Sequence, residues 1–353
     1  MTFSEAVTSV TRTYIVPKAY DTISKGSVGL LNFLQKAKSW KTGYKYEVII
    51  KYRDSTNGGN VGIADQLDTD RQNVRTKMQF DPKMATKPVV IADIETTLNK
   101  GDEQVLDLLD TEFDSQAQSL MQIMSQNLYI GTGVGNDFDS LANAADDGTN
   151  YPTYGGLSRS TYPTIDGYFI ASLGALTLAK LATMYDAVEI GTDKPSGIMG
   201  TKPIWTTYES LLTPTVRAGY VQNGFPMMNA WGLVPNSNVL SGASQGFEVL
   251  FFRGTPFMKD EQVPSGNLYM YNENYFGFKG INIVADNVKK LNFKQQNDGV
   301  PQGVPGRVPS TLGFNFRDLM HPVNQLAEIG HLIYAGNFIS ENPRLNGHAN
   351  GVS

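Results

Sequence analysis

Two stretches near the N-terminus alternate with period two. In YKYEVIIKYR, residues 44–53, Tyr44, Tyr46, Val48, Ile50 and Tyr52 alternate with Lys45, Glu47, Ile49, Lys51 and Arg53. In NVRTKMQF, residues 73–80, Val74, Thr76, Met78 and Phe80 alternate with Asn73, Arg75, Lys77 and Gln79. Successive side chains of a strand point to opposite faces, so both stretches read as strands with one apolar face. The 19 residues between them, DSTNGGNVGIADQLDTDRQ, are polar and glycine-rich. A loop of that length is usually functional or mobile. A two-stranded hairpin is marginal in water until something covers its apolar face. That cover is either a larger sheet of the same domain or another chain. Another chain as cover implies that Val48→Asp or Ile50→Asp impairs assembly more than monomer folding.

The polar face of this hairpin is basic. Arg71, Arg75 and Lys77 face Lys45, Lys51 and Arg53, and Glu47, Asp54, Asp65, Asp68 and Asp70 offset them. Mixed signs favour registry with an acidic neighbouring subunit over binding a polyanion.

Around the hairpin the chain reads as an arm, a long helix, an α/β region and a β-rich return. Residues 1–40 form the arm, interrupted by Pro17, with Ile23, Leu30, Leu31 and Leu34 placed for a short apolar stripe. Residues 84–99 read as a strand and a turn. Beyond Asp102 and Glu103, apolar residues at Leu106, Leu109, Phe113, Ala117, Leu120, Met124 and Leu128 recur at steps of three and four. That spacing predicts an amphipathic helix of ~26 residues, ~40 Å long, with acids at the positive end of its dipole. Residues 172–191 read as a helix ending near Gly191, and 197–217 as a strand followed by a helix opening at Pro203. Short strands fill 247–293. Pro264, Ser265 and Gly266 form a turn, and the strand after it is apolar on nearly both faces.

The chain has 353 residues, a net charge of −5 and no cysteine. Absence of cysteine excludes disulfides, thiolate metal sites and cysteine nucleophiles. The acidic total gives no nucleic-acid footprint. No run reaches the ~18 apolar residues of a membrane span. GTGVGN, 131–136, follows a helix and lacks the Gly-Lys-Ser/Thr ending, so it reads as a glycine cap and loop rather than a phosphate cradle. His321, His331 and His348 lack metal-ligand spacing, and no GxSxG is present. The acidic pairs in ADDG (Asp146, Asp147) and KDE (Asp260, Glu261) sit beside turns, where charges are usually solvated. A glycosidase-type carboxylate pair remains one reading of Asp260 and Glu261. No catalytic, metal or cofactor-binding residue is assigned, and no cofactor is expected.

This order of elements resembles the HK97-type major capsid proteins of tailed phages. DSLANAADDGTNYPTYGGLSRSTYP (139–163) resembles the family's connection after the spine helix, with its Gly-Gly-Leu-x-Arg run. LAKLATMYDAVEIGTDKPSGIMGTKPIWTTYESLL (178–212) resembles the helix, strand and helix of its axial domain. FRGTPFMKDEQVPSGNLYMYNENYFGF (252–278) resembles its Gly-x-Pro…Val-Pro-x-Gly-x-Leu-Tyr segment.

The resemblance implies an α+β capsid fold in four parts. These are an arm (1–40), an extended β-hairpin loop (41–83), a peripheral domain (84–164 and 301–353) with a spine helix at about 103–129, and an axial domain (165–300). It implies a non-enzymatic shell protein of the virion, assembling in the host cytoplasm into hexamers and pentamers of an icosahedral head around double-stranded DNA. Its partners would be itself, a scaffolding protein, a portal and a decoration or cement protein, with no membrane. The inter-subunit contacts expected on the hairpin are Tyr44, Tyr46, Val48, Ile50, Tyr52, Arg53, Arg71, Arg75, Lys77 and Met78. The alternatives are an encapsulin-like compartment shell enclosing a cargo enzyme and, further off, an α/β enzyme using the carboxylate pair.

Overall fold

A computed structural model describes residues 27–40, 43–63, 66, 69–94, 108–212, 250–283, 288–290, 313–322 and 325–353. Ser27 opens the first helix, α1 (Val28–Gln35), by accepting from the Leu30 N–H through its side chain. Leu30, Phe33 and Leu34 from this helix are buried. Ile23 and the side chain of Leu31 lie outside the described residues. The last third of the expected arm is therefore part of the body. It continues into β1 (Lys38–Ser39), which pairs in parallel with a strand some 240 residues later.

The hairpin follows as β2 (Tyr46–Lys51) and β3 (Arg75–Phe80), antiparallel, with Tyr46 opposite Phe80 and Lys51 opposite Arg75. Next come β4 (Lys83–Ala92) and α2 (Leu108–Ile130). The 23 residues of α2 span ~35 Å. Its Leu120, Met124 and Leu128 are buried as the spacing predicts, with Phe113 and Ala117 packed on the same core. The expected start near residue 103, with Leu106 and the side chain of Leu109, lies outside the described residues. Ser140 caps a single turn, α3 (Leu141–Ala144). A small hairpin, β5 (Thr153–Tyr154) and β6 (Leu157–Ser158), turns on Gly155 and Gly156 at φ 55° and 74°. Positive φ at both central residues is the twist-matched two-residue turn that glycine adopts without strain.

The remaining elements are β7 (Tyr168–Ile170), α4 (Leu178–Val188), β8 (Gly197–Gly200), α5 (Lys202–Leu211) and β9 (Leu250–Phe252). They continue as β10 (Thr255–Lys259), β11 (Leu268–Tyr271), β12 (Phe276–Gly280), β13 (Val288–Lys290), β14 (Phe314–Met320), β15 (Ala327–Ser340) and β16 (Gly347–Ala349). They build two six-stranded sheets. In the first, the order is β1-β12-β15-β14-β13, and β4 also pairs with the long β15. In the second, the order is β7-β16-β11-β8-β10-β9. Neither sheet is contiguous in sequence. β12 and β13 join the first sheet from within 165–300, and β16 returns to the second from within 301–353, which differs from the expected division at residue 300.

The second sheet is the wall between two cores. Ile198, Phe257, Leu268 and Met270 face one core, with Leu181, Met184 and Tyr185 of α4 and Trp205 and Tyr208 of α5. Their strand neighbours Met199, Met258, Tyr269 and Tyr271 face the other, with α1, α2 and the first sheet. β11 is accordingly buried at all four residues, the two-sided burial its composition predicts. The turn before it is the expected one: Asn267 N–H donates to Pro264 C=O at 3.1 Å, with Gly266 at φ 74°. Each fully buried Leu, Phe or Met here contributes roughly 1.5–3 kcal/mol.

The acidic pairs depart from expectation. In each, the first acid is buried and the second exposed. Asp260 is 1% exposed. Its Oδ2 accepts from Ser27 Oγ at 2.7 Å, Gly29 N–H at 2.8 Å and Tyr129 OH at 2.9 Å, and its Oδ1 from Gln262 N–H at 2.8 Å. Glu261 pairs with Lys202 at the surface. Asp146 is likewise buried, accepting from the N–H groups of Gly148, Asn150 and Tyr151 at 2.9–3.1 Å, while Asp147 is exposed. A carboxylate survives burial when donors take its lone pairs, and turns supply those donors. The Asp260 site also requires glycine at 29. A Cβ there would lie 2.2 Å from the Tyr129 hydroxyl and 2.7 Å from Met199 Sδ.

His348 on β16 stacks on Tyr269 with ring centroids 4.4 Å apart, and its Nε2 lies 3.1 Å from Asn267 Oδ1. Burial pushes the imidazole down to about 4, against a smaller opposing pull from Asp146.

Two predictions follow from this packing. Asp260→Ala strands four buried donors, and Gly29→Ala collides with Tyr129. Urea unfolding is expected to show a loss of about 3 kcal/mol or more for the first and about 1–3 kcal/mol for the second. His348 binds its proton later in the folded than in the unfolded chain. Its contribution is thus complete above the unfolded value of 6.5 and is lost as pH falls from there towards 4. Asp139, raised to about 6 by burial, acts in the opposite sense over the same window. The comparison is therefore with a variant: between about pH 7 and pH 5 the natural chain is expected to lose about 2 kcal/mol more than His348→Phe.

Candidate functional site: an assembly surface

The base of the hairpin is locked to its own chain. Tyr46 is buried, donates to Glu341 Oε1 at 3.1 Å and packs edge-on against Trp40 at 5.4 Å. Lys279, also buried, donates to the same oxygen at 2.7 Å and lies over the Tyr46 ring. Burial, aided by the Glu341 charge, pushes the Tyr46 hydroxyl up to about 12. Met78 and Phe80 are buried against the β5–β6 turn, where a Cβ on Gly155 would come within 2.7 Å of Met78 Cβ. Gln79 N–H donates to Gly155 C=O at 2.8 Å. Further out, Val48 and Ile50 pack as half-buried residues on the same core, and Tyr52 meets Tyr162 edge-on at 5.2 Å.

The apolar face expected to need another chain therefore has cover within its own chain: Tyr46 from Trp40, Lys279 and Glu341, and Met78, Phe80 and Tyr52 from residues 154–162. The physical reason is the Gly-Gly turn, which brings a second hairpin close enough to serve as the lid. The other face carries Ile49, which is 74% exposed, and Tyr44 is also exposed.

The basic character of the polar face is largely compensated locally. Lys45 pairs with Asp81 at 3.2 Å, Lys51 with Asp54, and Lys77 with Glu47 at 2.8 Å. Arg53 donates to Asn73 C=O at 3.1 Å and stacks on Tyr52. Arg71 and Arg75 are exposed, with no ion pair to a described residue. Asp65 and Asp68 lie outside the described residues.

A second exposed apolar region was not read from the sequence. α2 covers one face of the first sheet, over Val89 and Ile91. Alternation puts Met84, Thr86, Pro88 and Val90 of β4 on the opposite face, paired across to Ala335, Ile333, His331 and Ile329, with Met320 opposite Ile329. Met84, Val90 and Met320 are exposed there. The tip of the sheet adds Ile94 and Leu326, which are 67% and 86% exposed. His321 stands among them, 3.6 Å from both Asp93 and Glu328. The sequence signal was the alternation in KMATKPVVIA, which resembles an ordinary half-buried strand and does not say which half stays open.

The polar clusters in the interior are closed. Asp260 and Asp146 have their oxygens taken by donors. Arg159, the arginine of the Gly-Gly-Leu-x-Arg run, is buried, donates to the carbonyls of Ile165 at 2.6 Å and Asn143 at 2.7 Å, and lies over the Tyr154 ring. Asp139 is held by Asn337 Nδ2 at 2.7 Å and Asn143 Nδ2 at 3.1 Å. These are cross-links between segments, and none leaves a base and a nucleophile facing one another in a cleft. Among the described residues no cluster of His, Asp or Glu could hold a metal ion, and no helix is long and apolar enough to cross a membrane.

No protein-family model matches this chain. No curated protein matches it either. Solved structures do. A chain of the cyanophage A-1(L) capsid asymmetric unit superposes with a TM-score of 0.69 over 99% of this chain and 99% of that one, at 15% identity. A chain from Mycobacterium phage Bobi gives 0.55 over 99% and 98%, at 10% identity. One from the capsid of a native GTA particle gives 0.52 over 98% and 99%, at 8% identity. Likeness at such identities speaks to the backbone path, and it runs the full length of each chain: this protein has the HK97-type fold of phage capsid chains.

Proposed function

We propose that this chain is a structural shell subunit, a major capsid protein that assembles into hexamers and pentamers of an icosahedral phage head around double-stranded DNA. The observation that carries the reading is the end-to-end correspondence, without a large unmatched insertion, to a chain of a capsid asymmetric unit. An enzyme added to such a scaffold would need a site of its own, and the interior carboxylates are committed to holding the fold. The net charge of −5 suits a wall that packaged DNA does not stick to.

In this reading the hairpin (41–83) is the extended loop and α2 with the first sheet is the peripheral region (84–164 and 301–353). The second sheet with α4 and α5 is the axial region (165–300), and residues 1–40 are the arm. The inter-subunit surface comprises the exposed hairpin residues Tyr44, Ile49, Arg53, Arg71, Arg75 and Lys77 and the open face and tip of the first sheet. Tyr46 and Met78 act indirectly, by holding the hairpin in place. A scaffolding protein, a portal and a decoration or cement protein are the partners this reading calls for. The mature location is the virion, after assembly in the host cytoplasm.

Expression of the chain alone and together with a scaffolding protein tests the reading. Electron microscopy is expected to show shells or ring-shaped capsomers; a monomer that persists at high concentration under both conditions would overturn it. Shells that package a protein rather than DNA would point to a cargo compartment instead. Substitutions separate cover from contact. Ile49→Asp and Val90→Glu are expected to block assembly while shifting monomer stability by no more than ~0.5 kcal/mol. Val48→Asp puts a charge against the chain's own core and is expected to cost about 2–3 kcal/mol in the monomer itself, read by circular dichroism on thermal unfolding.

A further inference from the structure

We propose that Asn57, in the loop at the end of the hairpin, is a site of spontaneous deamidation, and that the fold protects the other Asn-Gly pairs it describes. In an Asn-Gly pair the backbone nitrogen of Gly58 can attack Asn57 Cγ, because glycine lets the backbone reach the required geometry without a side chain in the way. The new N–Cγ bond closes a five-membered succinimide as the Cγ–Nδ2 bond breaks and Nδ2 leaves as ammonia, taking up the proton given up by the Gly58 nitrogen. Water then adds across one of the two imide C–N bonds, giving aspartate or isoaspartate. The net change is asparagine plus water to a carboxylate plus ammonium, and no oxidant or partner is needed.

The chain offers a comparison within itself. Gly58 is exposed at φ 91°, a Cβ on it would meet nothing within 4 Å, and its N–H has no acceptor among the described residues. Asn346-Gly347 is the opposite case. Asn346 is fully buried, and its Nδ2 donates to Ser340 Oγ at 2.9 Å and to the Pro343 carbonyl at 3.2 Å. Gly347 is fixed in β16, between β7 and β11. Asn350-Gly351 is also pinned: Asn350 N–H donates to Ile170 C=O, its C=O accepts from Leu173 N–H, and its Oδ1 accepts from Ser172 N–H at 2.7 Å. A fourth pair, Asn223-Gly224, lies outside the described residues.

The conversion has a structural consequence. Asn57 Nδ2 donates to Asp70 C=O at 2.7 Å, and its Oδ1 accepts from Gln72 Nε2; Thr56 N–H donates to Gln72 Oε1 at 3.0 Å beside it. These bonds stitch the two limbs of the loop together. A carboxylate at 57 has no hydrogen to give Asp70 C=O, so that stitch becomes a repulsion. The inference stands on the loop's geometry and is independent of the shell reading.

The test is incubation of the intact folded chain near pH 8.5 at 37 °C, with peptide mapping by mass spectrometry for a gain of about one mass unit and for isoaspartate. A synthetic peptide of residues 53–62 serves as the unstructured reference. Asn57 is expected to convert within roughly tenfold of the peptide rate, and Asn346 and Asn350 at least roughly a hundredfold more slowly until the chain is denatured. Protection of Asn57 equal to that of Asn346 in the folded chain would overturn the assignment. Asn57→Asp is expected to raise hydrogen exchange across residues 54–63 at least roughly threefold while leaving β2 and β3 unchanged; an unchanged loop would overturn the stitching role.

Discussion

The carboxylate of Asp260 joins three stretches of chain, two of them remote donors. Ser27 and Gly29 bring the first helix, Tyr129 brings the end of the long helix, and Asp260 itself continues from β10 of the second sheet. A buried charge without donors would cost several kcal/mol, so the folded state must place all three segments together or leave the group unsatisfied. That makes the node a registration device. It fixes where the first helix lies against the sheet that divides the two cores, and the absence of a Cβ at Gly29 is the steric condition for it. Burial and the neighbouring Asp260 charge push the Tyr129 hydroxyl well above its usual range, which keeps it a donor to that carboxylate at neutral pH.

From that node the rest of the architecture extends as two sheets and a projecting hairpin. The hairpin is held at its root by a buried Lys279–Glu341–Tyr46 cluster and along its inner face by residues 154–162. Its outer face and the open face of the first sheet remain. The buried carboxylates Asp146 and Asp260 are spent on holding segments of the chain together, and exposed apolar residues lie on a sheet face and a sheet tip.

The hairpin strands, the long helix and the turn at 264–267 were legible because each carries its own periodicity or turn chemistry. The readings that failed share a cause. Asp146 and Asp260 stand beside turns, where a local rule says solvated, yet their donors come from their own turn and from segments up to 233 residues away. The cover for Met78 and Phe80 on the hairpin's apolar face comes from the Gly155-Gly156 turn, about 75 residues on. The open face of β4 alternates just as a covered one would.

What the sequence determined by itself is therefore the menu of elements and their order, since strand and helix periods are written in nearest neighbours. Which charges are buried, which hairpin face is lidded and which sheet face stays open was decided only by the tertiary structure. Those properties depend on which distant backbone donors and side chains arrive at the same place, and one strand's pattern cannot specify what packs on its other side.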